Sequence, residues 1–225
     1  MRLLVTAGAT CEDIDDVRFI TNRSSGRMGY AVATEAARRG HQVQLVSGPA
    51  YLAVPQGVEL TSVRSTGDLL AACLQRFEEC DAMVAAAAVC DYRPADRIRG
   101  KLKKSDGELV LRLVRNPDVA RELAALKRPD QTIVGFALEA SDIYQSRSSA
   151  EAKLADKKQD MAVLNGPASM GAAGAEFAFF TLKDGWTEPE VLDKRQVAVR
   201  IVDYLEARLG SAHEADDGDR PQAGN

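Results

Sequence analysis

The sequence predicts an α/β fold with a mostly parallel sheet, helices on both of its faces, and a C-terminal β-hairpin or small subdomain. Short apolar strands alternate with helical segments along the first half of the chain, which is typical of a parallel sheet covered by helices. Ala82–Val89 is apolar without a break, as expected of a strand buried on both faces. Near the other end, Phe177–Leu182 and Val191 flank a Lys183-Asp184-Gly185 turn, which favours an edge hairpin.

The first half of the chain predicts a regular order of strands and helices. Met1–Val5 is a short apolar run that enters a loop of small residues, and it predicts the first strand. Met28–Arg39 has apolar residues at helical spacing and stops at Gly40, a usual residue just beyond a helix. Further strands are predicted at Val43–Val46 and Val58–Val63, and a further helix at Asp68–Phe77. A sheet built in this order is Rossmann-like.

The second half contains the remaining elements in a more charged setting. Asn116-Pro117-Asp118 predicts the start of a helix that runs to about Leu126, because proline is tolerated at the first helical position. Strands are predicted at Leu109–Leu113, Ile133–Leu138 and Met161–Leu164, and helices at Ser149–Lys157 and Arg195–Leu209. The polar segment 211–225 lacks an apolar period and is predicted to be disordered, so residues 1–210 are expected to form one domain.

Composition excludes several classes of protein. The formal net charge of −4 over 225 residues gives no electrostatic reason to expect binding to nucleic acid or to an anionic membrane surface. No apolar run reaches the length of a membrane span, and no secretory signal is visible, so the cytoplasm is the expected compartment. The four cysteines form no CxxC pair and only two histidines occur, so neither a zinc site nor a disulfide framework is expected.

Two segments could bind phosphate through their backbone. The loop with Gly8 and Thr10 follows the first strand, and such loops can offer N–H groups to a phosphate; a tight connection without a ligand is the alternative. Ser24-Ser25-Gly26 precedes the Met28–Arg39 helix and could cradle an oxyanion, although plain helix capping by either serine is also consistent. Asn22 could both donate to an acyl oxygen and accept from a ligand amide.

Charged residues supply further candidates. Asp91 follows the buried alanine-rich strand, at the end where ligands bind in open α/β sheets, although a simple strand-end turn is the alternative. Lys101, Lys103 and Lys104 could neutralise a triphosphate and a departing pyrophosphate, and a solvated charge run is the alternative. The acidic residues Glu12, Asp13, Asp15 and Asp16 could coordinate Mg²⁺, but a solvated loop with local Asx turns is preferred.

Two chemical roles are less favoured by the sequence. Cys90 has no histidine near in sequence to activate it, so it is not expected to act as a nucleophile. The GxGxxG fingerprint is absent, and Ser47-Gly48 stands where a ribose-binding acid would follow the second strand. An NAD(P)-dependent oxidoreductase is therefore an alternative without its usual residues. A non-catalytic nucleotide-binding regulator on the same fold is a second alternative.

The ordered set of motifs resembles phosphopantothenate–cysteine ligase over roughly residues 1–205. The motifs that carry this resemblance are Thr6-Ala7-Gly8-Ala9-Thr10, Asn22-x-Ser24-Ser25-Gly26, Ala-Ala-Val-x-Asp91-Tyr92, Lys101-x-Lys103-Lys104, Asn116-Pro117-Asp118, Val134-Gly135-Phe136, Lys153-Leu154 and Asn165. Each motif alone is weak, but their order is specific. The family's Asn-Asp and Asp-x-Asn motifs before the last hairpin are altered here, at Leu164-Asn165-Gly166 and near Ala175–Phe177, and the Ser-Lys before the last helix is Asp193-Lys194.

The resemblance implies a two-step reaction within coenzyme A biosynthesis. In the first step, the carboxylate of 4'-phosphopantothenate attacks the α-phosphate of a nucleotide with the help of Mg²⁺. In the second step, cysteine displaces the nucleoside monophosphate. The resemblance favours CTP over ATP as the nucleotide. Asn22, Asp91 and Lys101 would be catalytic. The residues implied to bind nucleotide or substrate are Gly8, Thr10, Ser24, Ser25, Gly26, Ala88, Lys103, Lys104, Asn116, Phe136 and Lys153.

The resemblance also implies partners. Bacterial members are often fused behind a flavin-dependent decarboxylase, whereas the first predicted strand here begins at Met1. This chain is therefore expected to be the ligase part alone, working beside a separate decarboxylase. A homodimer paired through the Phe177–Leu182 hairpin is expected, because an unpaired apolar edge would favour aggregation.

Overall fold

The computed structural model of the protein describes residues 1–104, 107–138, 143–166 and 174–217, with side chains through residue 210. One sheet of nine strands dominates this described part, and it has the order β12-β11-β10-β9-β6-β1-β4-β5, with β13 also paired to β11. Its strands are β1 (Arg2–Ala7), β4 (Gln42–Ser47), β5 (Val58–Ser62), β6 (Ala82–Ala85), β9 (Thr132–Leu138), β10 (Met161–Asn165), β11 (Gly174–Thr181), β12 (Gly185–Trp186) and β13 (Glu190–Asp193). Two small antiparallel pairs lie outside it, β2 (Cys11–Asp13) with β3 (Phe19–Thr21), and β7 (Tyr92–Pro94) with β8 (Leu113–Arg115).

The centre of the sheet is parallel, as the sequence predicts. β5, β4, β1, β6, β9 and β10 pair in parallel, and the antiparallel β11, β12 and β13 complete one side. The predicted C-terminal hairpin is therefore confirmed as part of the main sheet.

Five helices cover the two faces of this sheet in the described residues. They are α1 (Arg27–Arg38), α2 (Thr66–Phe77), α3 (Val119–Ala125), α4 (Arg147–Asp156) and α5 (Lys194–Asp217). One face packs on α1 and α5, where Val32, Ala36, Val197 and Ile201 are fully buried. The opposite face packs on α2 and α3 through side chains that include Leu69 and Leu123. None of the described helices is both long and apolar enough to cross a membrane.

A cluster of charged side chains joins α1 to α5 at the surface. Arg39, just after α1, donates to Glu35 and reaches across to Asp203 at 2.6 Å and Glu206 at 2.7 Å. His41 Nε2 lies 2.8 Å from the second carboxylate oxygen of Glu206. The pairs are partly exposed, so they fix the relative position of the two helices more than they contribute to stability.

Several predicted elements need correction. The strand expected at Ala82–Val89 ends at Ala85, because residues 86–89 leave the sheet and form a single bridge from Ala88 to Ala9. The strand expected at Leu109–Leu113 lies later, as β8, where it pairs with the unpredicted β7.

The edge assigned to the C-terminal hairpin also needs correction. Phe177 and Phe179 are buried in the core beside α5, and β11 pairs along both of its sides. β11 itself is therefore not an open edge, whereas β12 of the same hairpin stands at the end of the sheet. The backbone of α5 continues to Asp217, so residues 211–217, predicted to be disordered, lie in the last helix; alanine and acidic residues there are compatible with a helix. Residues 218–225 lie outside the described residues.

A candidate active site at the switch point of the sheet

The order of the strands places a crevice between β1 and β6. From β1 the chain proceeds outward through β4 and β5, whereas from β6 it proceeds the other way through β9 and β10. Ligands in open α/β sheets bind where the strand order reverses, outside the carboxyl ends of the strands. The loops that follow β1 and β6 meet at this point, where Ala9 and Ala88 form their bridge.

Gly8 and Thr10 hold these two loops together. Ala88 N–H donates to the Gly8 carbonyl at 2.8 Å, and Thr10 N–H donates to the Ala88 carbonyl at 3.2 Å. The Thr10 hydroxyl accepts from Cys90 N–H at 2.8 Å and is buried beside the hydroxyl of Thr66. Gly8, Thr10 and Ala88, all predicted to bind ligand, therefore shape the backbone of the crevice, and the side chain of Thr10 is engaged within the protein.

Asn22 lies directly over the second loop. Its Nδ2 donates to the carbonyl oxygens of Ala88 and Val89, both at 3.1 Å. Within the described residues no donor reaches its Oδ1. The amide is exposed, so the group that Asn22 presents to a ligand in this arrangement is a hydrogen-bond acceptor. The sequence alone did not distinguish this acceptor from a donor.

The start of α1 lies beside Asn22. Its N-cap is Gly26, with φ at +77°, and no side chain caps the helix. Ser24 Oγ accepts from the N–H of Gly26 at 3.3 Å, but Gly26 lies before the first helical residue. Ser25 is exposed. Capping of α1 by either serine is therefore not observed, which leaves the first-turn N–H groups of α1 without a side-chain cap.

A cavity of about 180 Å³ opens at this helix end, on the α1–α5 face. Two cationic residues, Arg27 and Lys194, line it, and no carboxylate does among the residues described. Burial lowers the pKa of Lys194, and the nearby Arg27 lowers that pKa further. The other lining residues include Ser24, Ser25, Gly26, Phe136 and Asn165. The cavity is therefore electropositive and suits an anion.

A second cavity, of about 220 Å³, opens on the α2–α3 face. Its apolar walls include Leu69, Met83 and Val119, and its polar lining consists of Thr6, Asp91, Asn116, Asp118, Lys157 and Gln159. We call it the α3 cavity, and we call the first one the α1 cavity. Ala87 and Phe136 line both, so they form a thin partition between them.

Asp91 and Asn116 are joined at the mouth of the α3 cavity. Asn116 N–H donates to the Asp91 carbonyl at 2.8 Å, and Asn116 Nδ2 donates to the Cys90 carbonyl at 2.8 Å. The Asp91 carboxylate is exposed and makes no hydrogen bond or ion pair within the described part of the chain. It does not cap the segment that follows, so the alternative of a capping turn is not observed.

The helix predicted from Asn116-Pro117-Asp118 is confirmed, but Asp118 is its N-cap, so Pro117 lies before the helix and not at its first position. Burial works to raise the pKa of Asp118, but Lys157, whose Nζ lies 3.0 Å away, and the N–H of Arg121 together lower it. The charges of Asp118 and Lys157 thus largely neutralise each other inside the α3 cavity.

The lysine run lies outside both cavities. Lys101, Lys103 and Lys104 are exposed, while the backbone between them is anchored. Leu102 N–H donates to Asp15 at 3.0 Å, and its carbonyl accepts from Arg18 at 2.9 Å. Lys153, on α4, lines neither cavity.

Of the four acidic residues expected in a solvated loop, Glu12 and Asp15 are buried, whereas Asp16 is exposed. Asp15 is buried and bonded to Arg18, and its Oδ1 also accepts from the N–H groups of residues 17 and 18, as in an Asx turn. Glu12 is also buried and accepts from Thr66 N–H at 2.9 Å. No cluster of three potential metal ligands occurs in the described residues.

Cys90 fits a structural role. Burial raises the pKa of its thiol, and Sγ lies 3.4 Å from the Thr10 carbonyl. A protonated thiol is a poor nucleophile, which agrees with the sequence-based expectation.

Sequence reasoning missed Lys157, Gln159 and Lys194 as cavity residues. Lys157 and Gln159 lie just after α4, and Lys194 begins α5, so each approaches the crevice from a distant part of the chain. No local motif marks Lys157 or Gln159. Lys194 does stand at the lysine of the family's Ser-Lys pattern, which is a signal that could have identified it.

A doubly wound sheet with two cavities at its switch point defines a Rossmann-like α/β domain with a ligand site. The chain belongs to the family described as the DNA/pantothenate metabolism flavoprotein C-terminal domain, whose model matches residues 1–209. This assignment agrees with the resemblance found in the sequence.

Relatives place the domain in context. The chain is 39% identical over 210 residues to the coenzyme A biosynthesis bifunctional protein CoaBC of Bacillus subtilis strain 168, covering 91% of this chain and 51% of that one. It is 43% identical over 206 residues to a cysteine/cysteine sulfinic acid decarboxylase of an unknown prokaryotic organism, covering 89% and 56%. The crystal structure of the C-terminal domain of CoaBC is similar with a TM-score of 0.77 at 35% identity, covering 93% and 96%. The chain thus spans about half the length of these curated relatives.

Proposed function

We propose that this protein joins 4'-phosphopantothenate to L-cysteine through an acyl-nucleotide intermediate, as a step of coenzyme A biosynthesis. Membership of the family and similarity to the C-terminal domain of CoaBC support the proposal. The structural observation that carries it is Asn22, whose amide is fixed on the loop between the electropositive α1 cavity and the α3 cavity.

In the first step, a carboxylate oxygen of 4'-phosphopantothenate attacks the α-phosphorus of a nucleoside triphosphate, and the bond to pyrophosphate breaks. Negative charge grows on the departing pyrophosphate. The first-turn N–H groups of α1, together with Arg27 and Lys194, would stabilise phosphate charge in the α1 cavity. Lys101 would add a mobile cation from outside, because its backbone is anchored but its side chain is exposed.

In the second step, the amine of cysteine attacks the acyl carbon, the bond to the nucleoside monophosphate breaks, and the amine loses a proton. A nucleophilic amine must be oriented by an acceptor. Oδ1 of Asn22 is such an acceptor, because both N–H groups of the same amide are held by the carbonyls of Ala88 and Val89.

The proposed reaction also needs a nucleotide and a metal ion. We propose CTP as the nucleotide, with Mg²⁺ neutralising the charge of its phosphates. The acidic residues near the lysine run do not fit a metal site, since Asp13 and Asp15 are paired with arginines. Mg²⁺ would therefore be bound mainly by phosphate oxygens and water, as is usual for nucleotide complexes; Asp91 is the open carboxylate nearby.

We further propose that the protein is cytoplasmic, acts as a homodimer and can work beside a separate flavin-dependent decarboxylase. Because β11 is paired on both sides, a dimer through this hairpin would use the outer edge of β12 or β13. Light scattering at micromolar concentration tests the dimer, and a monomer with full activity would exclude it.

The function is tested by pyrophosphate release with 4'-phosphopantothenate and CTP, ATP, GTP or UTP, with and without cysteine. We expect roughly one equivalent of pyrophosphate per site without cysteine and continuous release with it. Absence of release with every nucleotide would refute the proposal.

Asn22→Asp provides a sharper test. A carboxylate cannot donate to the carbonyls of Ala88 and Val89 and would repel them, so the acceptor loses its orientation. Turnover should fall by several orders of magnitude, and the circular dichroism spectrum should be unchanged. Near-normal turnover would show that Asn22 has no such role.

A further inference from the structure

Thr66 has a hydroxyl at the point where three segments of the crevice meet. The residue begins α2, is fully buried and lines neither cavity. Its Oγ1 lies 3.1 Å from the hydroxyl of Thr10, 3.4 Å from the Cys90 carbonyl and 3.2 Å from Nδ2 of Asn116. These three partners follow β1, β6 and β8, so one side chain of α2 connects the segments that follow three different strands.

The start of α2 does not need this hydroxyl. The N-cap is Ser65, whose Oγ accepts from the N–H of Asp68 at 3.1 Å, and the Asp68 carboxylate accepts from the N–H of Ser65 in return. The bond from Thr66 to Glu12 Oε1, at 2.9 Å, is made by the backbone N–H. The helix is therefore capped without the Thr66 side chain, and the hydroxyl serves the loops alone.

The hydrogen of each hydroxyl can be assigned from its neighbours. The Thr10 hydroxyl oxygen accepts from the Cys90 N–H at 2.8 Å, and within the described residues the one acceptor for its own hydrogen is Oγ1 of Thr66. The Thr66 hydrogen is then directed to the Cys90 carbonyl. Nδ2 of Asn116 donates to both of these oxygens. This assignment gives each buried hydroxyl hydrogen an acceptor, so the two threonines are held in a single arrangement.

The Val89–Cys90 peptide group connects this arrangement to Asn22. Its N–H donates to the Thr10 hydroxyl, and its carbonyl is one of the two that hold the Asn22 amide, at 3.1 Å. A peptide group is planar and rigid, so the direction of its N–H fixes the direction of its carbonyl. The orientation of the Asn22 acceptor therefore depends on two threonine hydroxyls that line neither cavity.

We infer that Thr66 is a positioning residue for the proposed ligase. Its hydroxyl holds Thr10, Thr10 holds the Val89–Cys90 peptide, and that peptide orients the acceptor of Asn22. The inference rests on the proposed function, in which this acceptor orients the amine of cysteine in the second step. Loss of the hydroxyl should thus slow the cysteine-dependent step. The first step, which uses the cations and N–H groups of the α1 cavity, should stay close to normal.

The first test compares Thr66→Val with Thr66→Ser. Valine has almost the shape of threonine but no hydroxyl, whereas serine keeps the hydroxyl and loses a buried methyl group. We expect cysteine-dependent turnover to fall about tenfold or more in Thr66→Val, with the pyrophosphate burst without cysteine within about twofold of the wild type. Thr66→Ser should retain turnover within about twofold, although the lost methyl group lowers its melting temperature.

Thr181→Val is the matched control. Thr181 is also buried, and its hydroxyl makes two hydrogen bonds, to the carboxylate and the N–H of Asp184. It pairs with Met161 at the start of β10, the opposite end of the sheet from the crevice. This variant should lose stability and keep wild-type turnover. An equal loss of turnover in Thr181→Val and Thr66→Val would show that stability alone matters, and it would overturn the inference.

A second measurement does not depend on activity. The side-chain amide signals of Asn22 in NMR spectra, assigned by their absence in Asn22→Ala, should move in Thr66→Val and in Thr10→Val. They should stay in place in Thr66→Ser and Thr181→Val. Unmoved signals in Thr66→Val, or wild-type cysteine-dependent turnover in that variant, would overturn the inference.

Thr10→Val tests the next link, and it decides the matter if Thr66→Val does not fold. It should slow the cysteine-dependent step as Thr66→Val does, and the double variant should lose no more than the stronger single one, because both act through one peptide group. Full turnover in Thr10→Val, or additive losses in the double variant, would contradict the inference. A wild type that forms no product would refute the proposed function instead, and the amide signals would still decide whether Thr66 orients Asn22.

Discussion

Gly8 provides the most direct test of how the crevice is built. Its φ is +74°, and a Cβ there would stand 2.7 Å from the Gly48 carbonyl oxygen. Gly57 has nearly the same conformation, with φ at +77°, but a Cβ there would meet nothing within 4 Å. Gly8→Ala therefore combines a conformational cost with a steric one, whereas Gly57→Ala isolates the conformational cost.

The magnitudes follow from these two contributions. The left-handed conformation costs a non-glycine residue about 1–2 kcal/mol, and overpacking against backbone adds about 1–3 kcal/mol. The effect of alanine on the unfolded chain is the same at both sites and cancels. Gly57→Ala should thus lower the melting temperature by about 2–8 °C for a domain of this size, and Gly8→Ala by clearly more.

The assay is thermal unfolding of both variants, combined with pyrophosphate release. Because Gly8 also accepts from Ala88 N–H, its displacement should move the loop whose carbonyls hold the Asn22 amide and lower turnover, while Gly57→Ala should keep wild-type turnover. The reasoning is refuted if Gly8→Ala is no less stable than Gly57→Ala, or if it retains full turnover.

Three further predictions concern charge. Lys101→Gln should lower turnover about a hundredfold with little change in nucleotide affinity, and Lys104→Gln much less, as steady-state kinetics can show. The hydrogen bond from Arg18 holds the pKa of Asp15 well below its usual range, although burial opposes it. The ionised Asp15 therefore stabilises the fold fully above about pH 4, and this contribution is lost as the pH falls further. In Asp15→Asn, the free energy of unfolding should decrease less steeply at acid pH than in the wild type. Burial raises the pKa of Cys73 to about 12, so alkylation at pH 8 should require denaturant.

Local sequence patterns were sufficient to predict the layers of the fold and much of the crevice. The alternation of strands and helices predicted a parallel sheet, and Asn22, Asp91 and Phe136 lie at its carboxyl end as the motifs suggested. Asn22 directly follows β3, Asp91 directly precedes β7 and Phe136 lies within β9, so the position of each is set by a local element. The end of β6 was predicted too late because residues 86–89 are small and apolar for another reason, namely close approach to the loop at Gly8.

The remaining site residues could not be predicted because distant segments bring them together. Gln159 reaches the α3 cavity from just beyond α4, and the electropositive character of the α1 cavity depends on Arg27 and Lys194 from opposite ends of the chain. Asp15 and Glu12 seemed to be solvated acids, since the sequence does not show which backbone N–H groups fold back onto them.

The packing of α5 against α1 has a consequence for synthesis of the protein. Val32, Ala33 and Ala36 of α1 are fully buried on this face, and the charged contact from Arg39 to Asp203 joins residues 164 positions apart. A ribosome releases α1 long before α5 exists, so an apolar helical face stays in solvent for most of translation. Such non-local closure slows folding and exposes the nascent chain to aggregation. Any protein that lacks α5, through truncation or early termination, would keep that face exposed and become a substrate for chaperones or proteases.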